Sequence, residues 1–191
     1  MRATSGLKPA SGHPAAAARL PVSLTGDSEP VRRLREALDA AAPARAPVLL
    51  AAEPGFDLPA LAAYLHARGR PGEPFVAIDC GAAGAGEIQE RLFGPPGRRA
   101  GRELECLARG SAMVRAGRGA LFLENIGELP ASAQRRLVRL LRDGEAHVAP
   151  RQQPVPLGFR LVASTERDLD SDAREGGFRA DLLRRFRTGL V

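Results

Sequence analysis

The stretch Ala120-Leu121-Phe122-Leu123-Glu124-Asn125-Ile126-Gly127-Glu128-Leu129-Pro130 turns from apolar to polar and back within eleven residues. Residues 120–123 carry no polar side chain, which reads as a strand buried on both faces. Glu124 and Asn125 follow it directly. Pro130 then opens a helix with Ala133, Leu137, Leu140 and Leu141 on one side and Arg135, Arg136, Arg139 and Arg142 on the other. Gly144 ends that helix. A buried strand, a short polar turn and an amphipathic helix make one α/β unit.

The same unit recurs on both sides of it. Val48-Leu49-Leu50-Ala51 is a second apolar run, followed by a helix with Pro59 in its first turn and Leu61, Ala62 and Leu65 inward. Phe75–Ile78 and Phe159–Ala163 read as further strands. Ser28 is placed to cap a helix carrying Val31, Leu34, Leu38 and Ala41, which Pro43 and Pro47 end. Shorter helices are predicted over Glu87–Phe93 and from about Phe178 to Phe186. Residues 81–118 are otherwise rich in Gly and Arg and show no period. Strands alternating with helices predict a three-layer α/β fold with a mainly parallel sheet of five strands. Residues 1–23, rich in Ala, Pro, Gly and Ser, read as a flexible tail before a single domain over 24–191.

Composition narrows the function classes. The 191 residues are 44% hydrophobic with seven Phe, one Tyr and no Trp, so the core is built mainly of Leu, Val, Ile and Ala. The net charge is +6 and the pI near 10.7. Lys8 is the single lysine, so the positive charge is an arginine-rich surface more than a designed basic patch, and nucleic-acid binding stands as an alternative without a motif behind it. Cys80 and Cys106 have neither metal-ligand spacing nor a disulfide framework, and Cys80 reads as a small buried hydrophobe. No apolar run is long enough for a membrane span and the N-terminus lacks a signal-peptide core, which predicts a cytoplasmic protein without a membrane partner.

Several blocks stand in a fixed order. They are Leu24-Thr25-Gly26-Asp27-Ser28, Leu92-Phe93-Gly94, the stretch 121–130, Ala163-Ser164-Thr165-Glu166-Arg167-Asp168-Leu169, and Phe178-Arg179-Ala180-Asp181-Leu182. In this order and spacing the chain resembles the central AAA+ domain of sigma-54-dependent transcriptional activators, the bacterial enhancer-binding proteins, over residues 24–191. The resemblance implies an AAA+ P-loop-type three-layer αβα sandwich. It also implies ATP binding, a ring in which neighbours share nucleotide sites, and contact with sigma-54.

At the motif positions the residues depart from the family. Its phosphate loop follows G-x-x-x-x-G-K-[ST or E], and here Ala52-Glu53-Pro54-Gly55-Phe56-Asp57-Leu58-Pro59 stands in its place. Of that loop Gly55 remains a vestige; both pattern glycines are replaced, and leucine stands for lysine. Asp57 would set a carboxylate toward phosphate, and like charges about 4 Å apart repel by about 4 kcal/mol at an effective dielectric of about 20. Pro54 and Pro59 each remove a main-chain N–H from a loop that should offer such donors. The family's Asp-Glu pair for magnesium and water is Glu124-Asn125, and Asn125 has no carboxylate to act as base. Glu166 replaces the sensor asparagine. Where the family carries its sigma-54-contacting Gly-Ala-Phe-Thr-Gly-Ala loop, the chain has Pro95-Pro96-Gly97-Arg98-Arg99-Ala100-Gly101-Arg102.

From these replacements the sequence predicts a pseudo-ATPase with no catalytic residues, no bound cofactor and no metal. Such a module would be non-enzymatic, a regulatory or scaffold partner that binds proteins, linked to transcription regulation and monomeric or weakly dimeric. Arg179 and Arg185 match the two arginines that the family inserts into a neighbour's ATP site, which makes an intact AAA+ protein a candidate partner; read alone, they are surface arginines able to pair with Asp181 and Glu175. Glu128 reads as a cap for the helix at Pro130. The family's helical lid and DNA-binding helix-turn-helix are not written in these residues, so an α/β subdomain with the lid absent is expected. The alternatives are an ATP-binding sigma-54-dependent activator and a basic nucleic-acid-binding protein.

Overall fold

The computed structural model describes residues 24–95, 104–150 and 153–187. The tail at 1–23 and all but Pro95 of the 95–102 stretch lie outside the described residues. Helix α1 (Glu29–Ala41) leads to strand β1 (Val48–Ala51), helix α2 (Leu58–Gly69) and strand β2 (Phe75–Asp79). Next come α3 (Ala85–Phe93), β3 (Cys106–Leu107), α4 (Ala112–Arg115) and β4 (Ala120–Glu124). A 3-10 turn over Ile126–Glu128 precedes α5 (Ala131–Asp143), β5 (Glu145–Val148), β6 (Pro154–Pro156) and β7 (Arg160–Thr165). The chain then forms α6 (Leu169–Arg174), α7 (Ala180–Leu183) and a 3-10 turn over Arg184–Phe186.

Four strands pair in the order β1-β7-β4-β2, every pair parallel. Side chains alternate across such a sheet. Leu49, Val76, Leu121, Leu123, Leu161 and Ala163 enter one core with Leu92, Leu137 and Leu182. Val48, Leu50, Ala120, Phe122 and Val162 enter the other with Leu38, Leu61 and Leu65. Both faces are covered, which is why the strands read as unbroken apolar runs.

The expected sheet of five strands is corrected to four among the described residues. Three further strands form a second sheet, with β3 parallel to β5 and β5 antiparallel to β6. Neither Glu145–Val148 nor Pro154–Pro156 has the apolar run that announces a buried strand, and two of the three β6 residues are proline, which suits an edge. The patternless 81–118 stretch holds α3, β3 and α4. Ser28 occupies the N-cap position without a side-chain capping bond, and the first turn of α1 is served instead by Glu29 and the following proline. The last predicted helix is broken into α7 and a 3-10 turn, and α6 precedes it.

At the start of β7, away from the strand-end loops, Arg160 closes the structure. It is 3% exposed and donates to three main-chain carbonyls, Nη2 to Ala41 (2.8 Å), Nη1 to Ala42 (3.0 Å) and Nε to Ala46 (3.0 Å). Two of these carbonyls, Ala41 and Ala42, lie at the C-terminal end of α1, which β7 thereby holds. Arg160→Met removes all three guanidinium bonds, leaving Ala41 O with only its Ala44 N–H, and the expected loss is about 2–4 kcal/mol of unfolding free energy in a urea titration.

Candidate functional site at the strand ends

The carboxyl ends of the four parallel strands carry the loops at 52–57, 80–84, 125–130 and 166–168, the edge of an open α/β sheet where ligands bind. The Ala52 N–H donates to Thr165 O at 3.2 Å and ties the first loop to β7. Gly55 has φ +106°, a conformation that an L side chain rarely adopts. Phe56 is 48% exposed. Asp57 is the N-cap of α2, its Oδ1 accepting from the Ala60 N–H at 3.0 Å. Leu58 is buried with Leu61 and Leu65 in the core beneath. An anion at a helix N-terminus takes the free N–H groups there. Here a carboxylate takes one of them, and residue 58 packs inward, so these side chains do not fit a triphosphate held in the G-x-x-x-x-G-K manner.

At the next two strand ends, Asp79 and Glu124 are register partners on β2 and β4. Burial, the Asp79 carboxylate and the Asp57 carboxylate, in that order, raise the Glu124 pKa above the ordinary carboxylate value. Asn125 has φ 52° in the left-handed region, and its Nδ2 donates to Asp79 Oδ1 at 3.1 Å. The Gly81 N–H donates to the same oxygen at 3.0 Å. Asn125 is thus a donor that fixes a neighbouring carboxylate. Asp79 was missed in the sequence; its signal was a carboxylate closing the apolar run 75–78. Cys80 is buried, and burial first, then Asp79, Glu124 and Glu128, push its thiol up to about 12, as suits a packing residue.

Thr165 is 3% exposed and its Oγ1 accepts from the Arg167 N–H at 3.0 Å. Glu166 beside it is exposed. Arg167 bridges two elements, Nη1 to Glu128 Oε1 at 2.7 Å and Nη2 to Asp172 Oδ1 at 2.9 Å. Glu128 therefore serves that bridge and does not cap α5, whose N-cap is Pro130 without a side-chain bond. Arg179 makes a bidentate pair with Asp181, at 2.9 and 2.6 Å, which raises the arginine pKa and lowers that of the aspartate. Its main-chain N–H donates to Oε1 of Gln134, a buried residue of α5, at 2.8 Å. Arg185 is exposed on the closing 3-10 turn, and Glu175 accepts from Ser171 Oγ. The structure gathers Asp57, Asp79, Glu124 and Asn125 at the strand ends and sets the two arginines apart on the last helical segment. A cavity of about 210 Å³ is lined by Ala51, Thr165, Arg167, Leu169, Leu183 and Phe186 among others. Among the described residues no group of three His, Cys, Asp or Glu could hold a metal ion, and no helix is long and apolar enough to cross a membrane.

The model of a family described as "Sigma-54 interaction domain" matches residues 24–190. The nitric oxide reductase transcription regulator NorR1 of Cupriavidus necator is 35% identical over 165 residues, 85% of this chain and 32% of that protein. Two solved structures share the fold. NtrX of Brucella abortus in complex with ATP superposes with a TM-score of 0.72 at 24% identity, over 87% of this chain and 35% of that one. The P-loop NTPase domain of the sigma-54 transport activator of E. coli superposes with 0.58 at 21% identity, over 87% and 96%. The chain spans about a third of the length of the curated relatives it matches. These findings confirm the AAA+ P-loop-type fold and correct the expected function. Its relatives are transcription regulators of the sigma-54 activator kind, so the non-enzymatic regulatory or scaffold module gives way to the activator alternative.

Glu124 also reports on the site through pH. A carboxyl whose folded pKa lies above its unfolded value stabilises the fold most when both states are protonated, and that contribution is lost as pH rises through the folded pKa. Glu124→Gln is therefore expected to be more stable than the parent at pH 7 and equal to it below the ordinary carboxylate range, as read from urea midpoints at the two pH values.

Proposed function

Because the chain belongs to the Sigma-54 interaction domain family, we propose that it is the α/β part of the ATP-binding domain of a sigma-54-dependent transcriptional activator. The observation that carries this reading is the match over 24–190, with the α/β architecture kept over the described residues. The proposed partners are sigma-54 RNA polymerase and neighbouring AAA+ subunits, either copies of this chain or an intact relative. The proposed compartment is the cytoplasm. A head-to-tail contact of that kind is heterologous and closes into a ring only at the right rotation. Arg179 and Arg185 would supply charge to a neighbour's phosphates, and Arg179 would leave Asp181 to do so. Without a bridging nucleotide the isolated chain is proposed to stay monomeric or weakly dimeric.

ATP is proposed to be held loosely. Main-chain N–H groups around Gly55 remain to meet phosphate, while Asp57 opposes it and no lysine assists. Hydrolysis at this chain's own cleft is proposed to be slow, since Asn125 is a hydrogen-bond donor to Asp79 and has no carboxylate for water.

Calorimetry with ATP and magnesium, together with sigma-54-dependent transcription in vitro by the whole activator, tests the reading. Asp57→Ser keeps an N-cap for α2 while it removes the opposing charge, and is expected to tighten ATP binding by about tenfold, equivalent to about 1.4 kcal/mol. Transcription from a sigma-54 promoter that does not depend on this protein would sink the proposal.

A further inference from the structure

Helix α5 buries one side chain that an apolar face does not call for. Gln134 is 1% exposed, beside the buried Ala133, Leu137 and Leu140. A buried amide is tolerated when its donors and its acceptor are matched, and here they are. Nε2 donates to Leu129 O at 2.8 Å and to Gly177 O at 3.3 Å, while Oε1 accepts from the Arg179 N–H at 2.8 Å. Only one orientation of the amide serves these groups, since a flip would set its oxygen against two carbonyl oxygens. The segment it holds is anchored from its other side as well. Phe178 is 3% exposed in the core, and the Gly177 and Phe178 N–H groups donate to Asp172 O at 2.9 and 3.1 Å. Arg179 O accepts from the Leu182 and Leu183 N–H groups, both at 3.0 Å, at the opening of α7. The main chain of Arg179 is thus fixed at its N–H and at its carbonyl. Its side chain, 41% exposed, reaches out to Asp181.

We propose that Gln134 is a positioning residue for Arg179: it holds the main chain at 177–179 still, so that the guanidinium alone moves when it leaves Asp181 for a neighbour's phosphate. Ordering a segment at the moment of contact costs conformational entropy, and a backbone already fixed in the free chain removes that cost. Asp181 lies two residues on, on the same helical segment, so the side chain can let go of it without a shift of the main chain. A methionine at 134 fills nearly the same space but can hold none of the three groups. The second arginine is carried separately. Arg185 sits on the 3-10 turn, and Leu182, Leu183 and Phe186 fasten that part of the chain into the core. Gln134 therefore bears on residue 179 and not on residue 185. The purpose of the anchor rests on the neighbour contact proposed above; the anchor itself does not.

The test uses the whole chain with Gln134→Met, Arg179→Ala, Arg185→Ala and the two double variants that pair Gln134→Met with each arginine change. Hydrogen exchange at the Arg179 amide reads the anchor. Sedimentation with millimolar ATP and magnesium reads self-association, and a double-mutant cycle tells whether Gln134 acts through Arg179. Gln134→Met is expected to speed exchange at Arg179 by at least about tenfold while amides of β4 and β7 keep their protection. It is expected to weaken ATP-dependent self-association by about tenfold, with no further loss when Arg179→Ala is added and a further loss when Arg185→Ala is added. A merely structural role for Gln134 gives additive losses with both arginines, and that result overturns the positioning role. Unchanged exchange at Arg179 in Gln134→Met overturns the anchor. A parent chain that stays monomeric with ATP defeats the proposed neighbour contact and the purpose assigned to Gln134 with it, while exchange still decides the anchor.

Discussion

Strand β4 is held between β2 and β7 by parallel pairing on both edges, and the rest of the molecule depends on that placement. Its register sets Phe122 beside Val162 on one side and Ala77 on the other, and it sets Glu124 beside Asp79. Phe122 is fully buried and stacks with Phe75 at 6.0 Å between ring centres, while Leu121 and Leu123 reach the other core. A slip of one residue would exchange those faces and move every strand-end group out of its loop. Burial on both sides thus specifies the register, and the register places the chemistry.

At the strand ends the same charges serve local structure and oppose a ligand. Asp57 stabilises α2 by accepting from its first turn and adds to the negative field that raises the Glu124 pKa. Asn125, in a left-handed conformation, spends its amide on Asp79. Arg167 joins the turn after β4 to α6 through Glu128 and Asp172. The ends of β2, β4 and β7 are therefore linked by hydrogen bonds and ion pairs as well as by the ladder. A displacement at one of them is felt at the others because the core between them is close-packed.

The second sheet and α5 extend this frame away from the cleft. Gln134 and Arg136 lie two positions apart on α5 and work in different directions. Gln134 accepts from the Arg179 N–H and donates to Leu129 O, which fixes the start of the last helical segment. Arg136 holds Glu105, Cys106 and Phe93. One helix thus touches the strand-end turn, the arginine segment and the base of the 96–103 segment.

The sequence by itself determined the α/β class, the strands at 48–51, 75–78 and 120–123, and the arginine and apolar faces of α5, because local period and unbroken apolar runs follow directly from burial. It also determined which groups stand at 55, 124, 125, 166, 179 and 185. Tertiary structure decided what those groups do. That Asp57 caps α2, that Leu58 is a core residue, that Arg136 points to a buried glutamate, and that Asp79 lies across from Glu124 all depend on partners distant in the chain. The small second sheet was illegible for the same reason. Cys106–Leu107 and Pro154–Pro156 carry no signal of their own, and each is a strand only because β5 offers it a ladder.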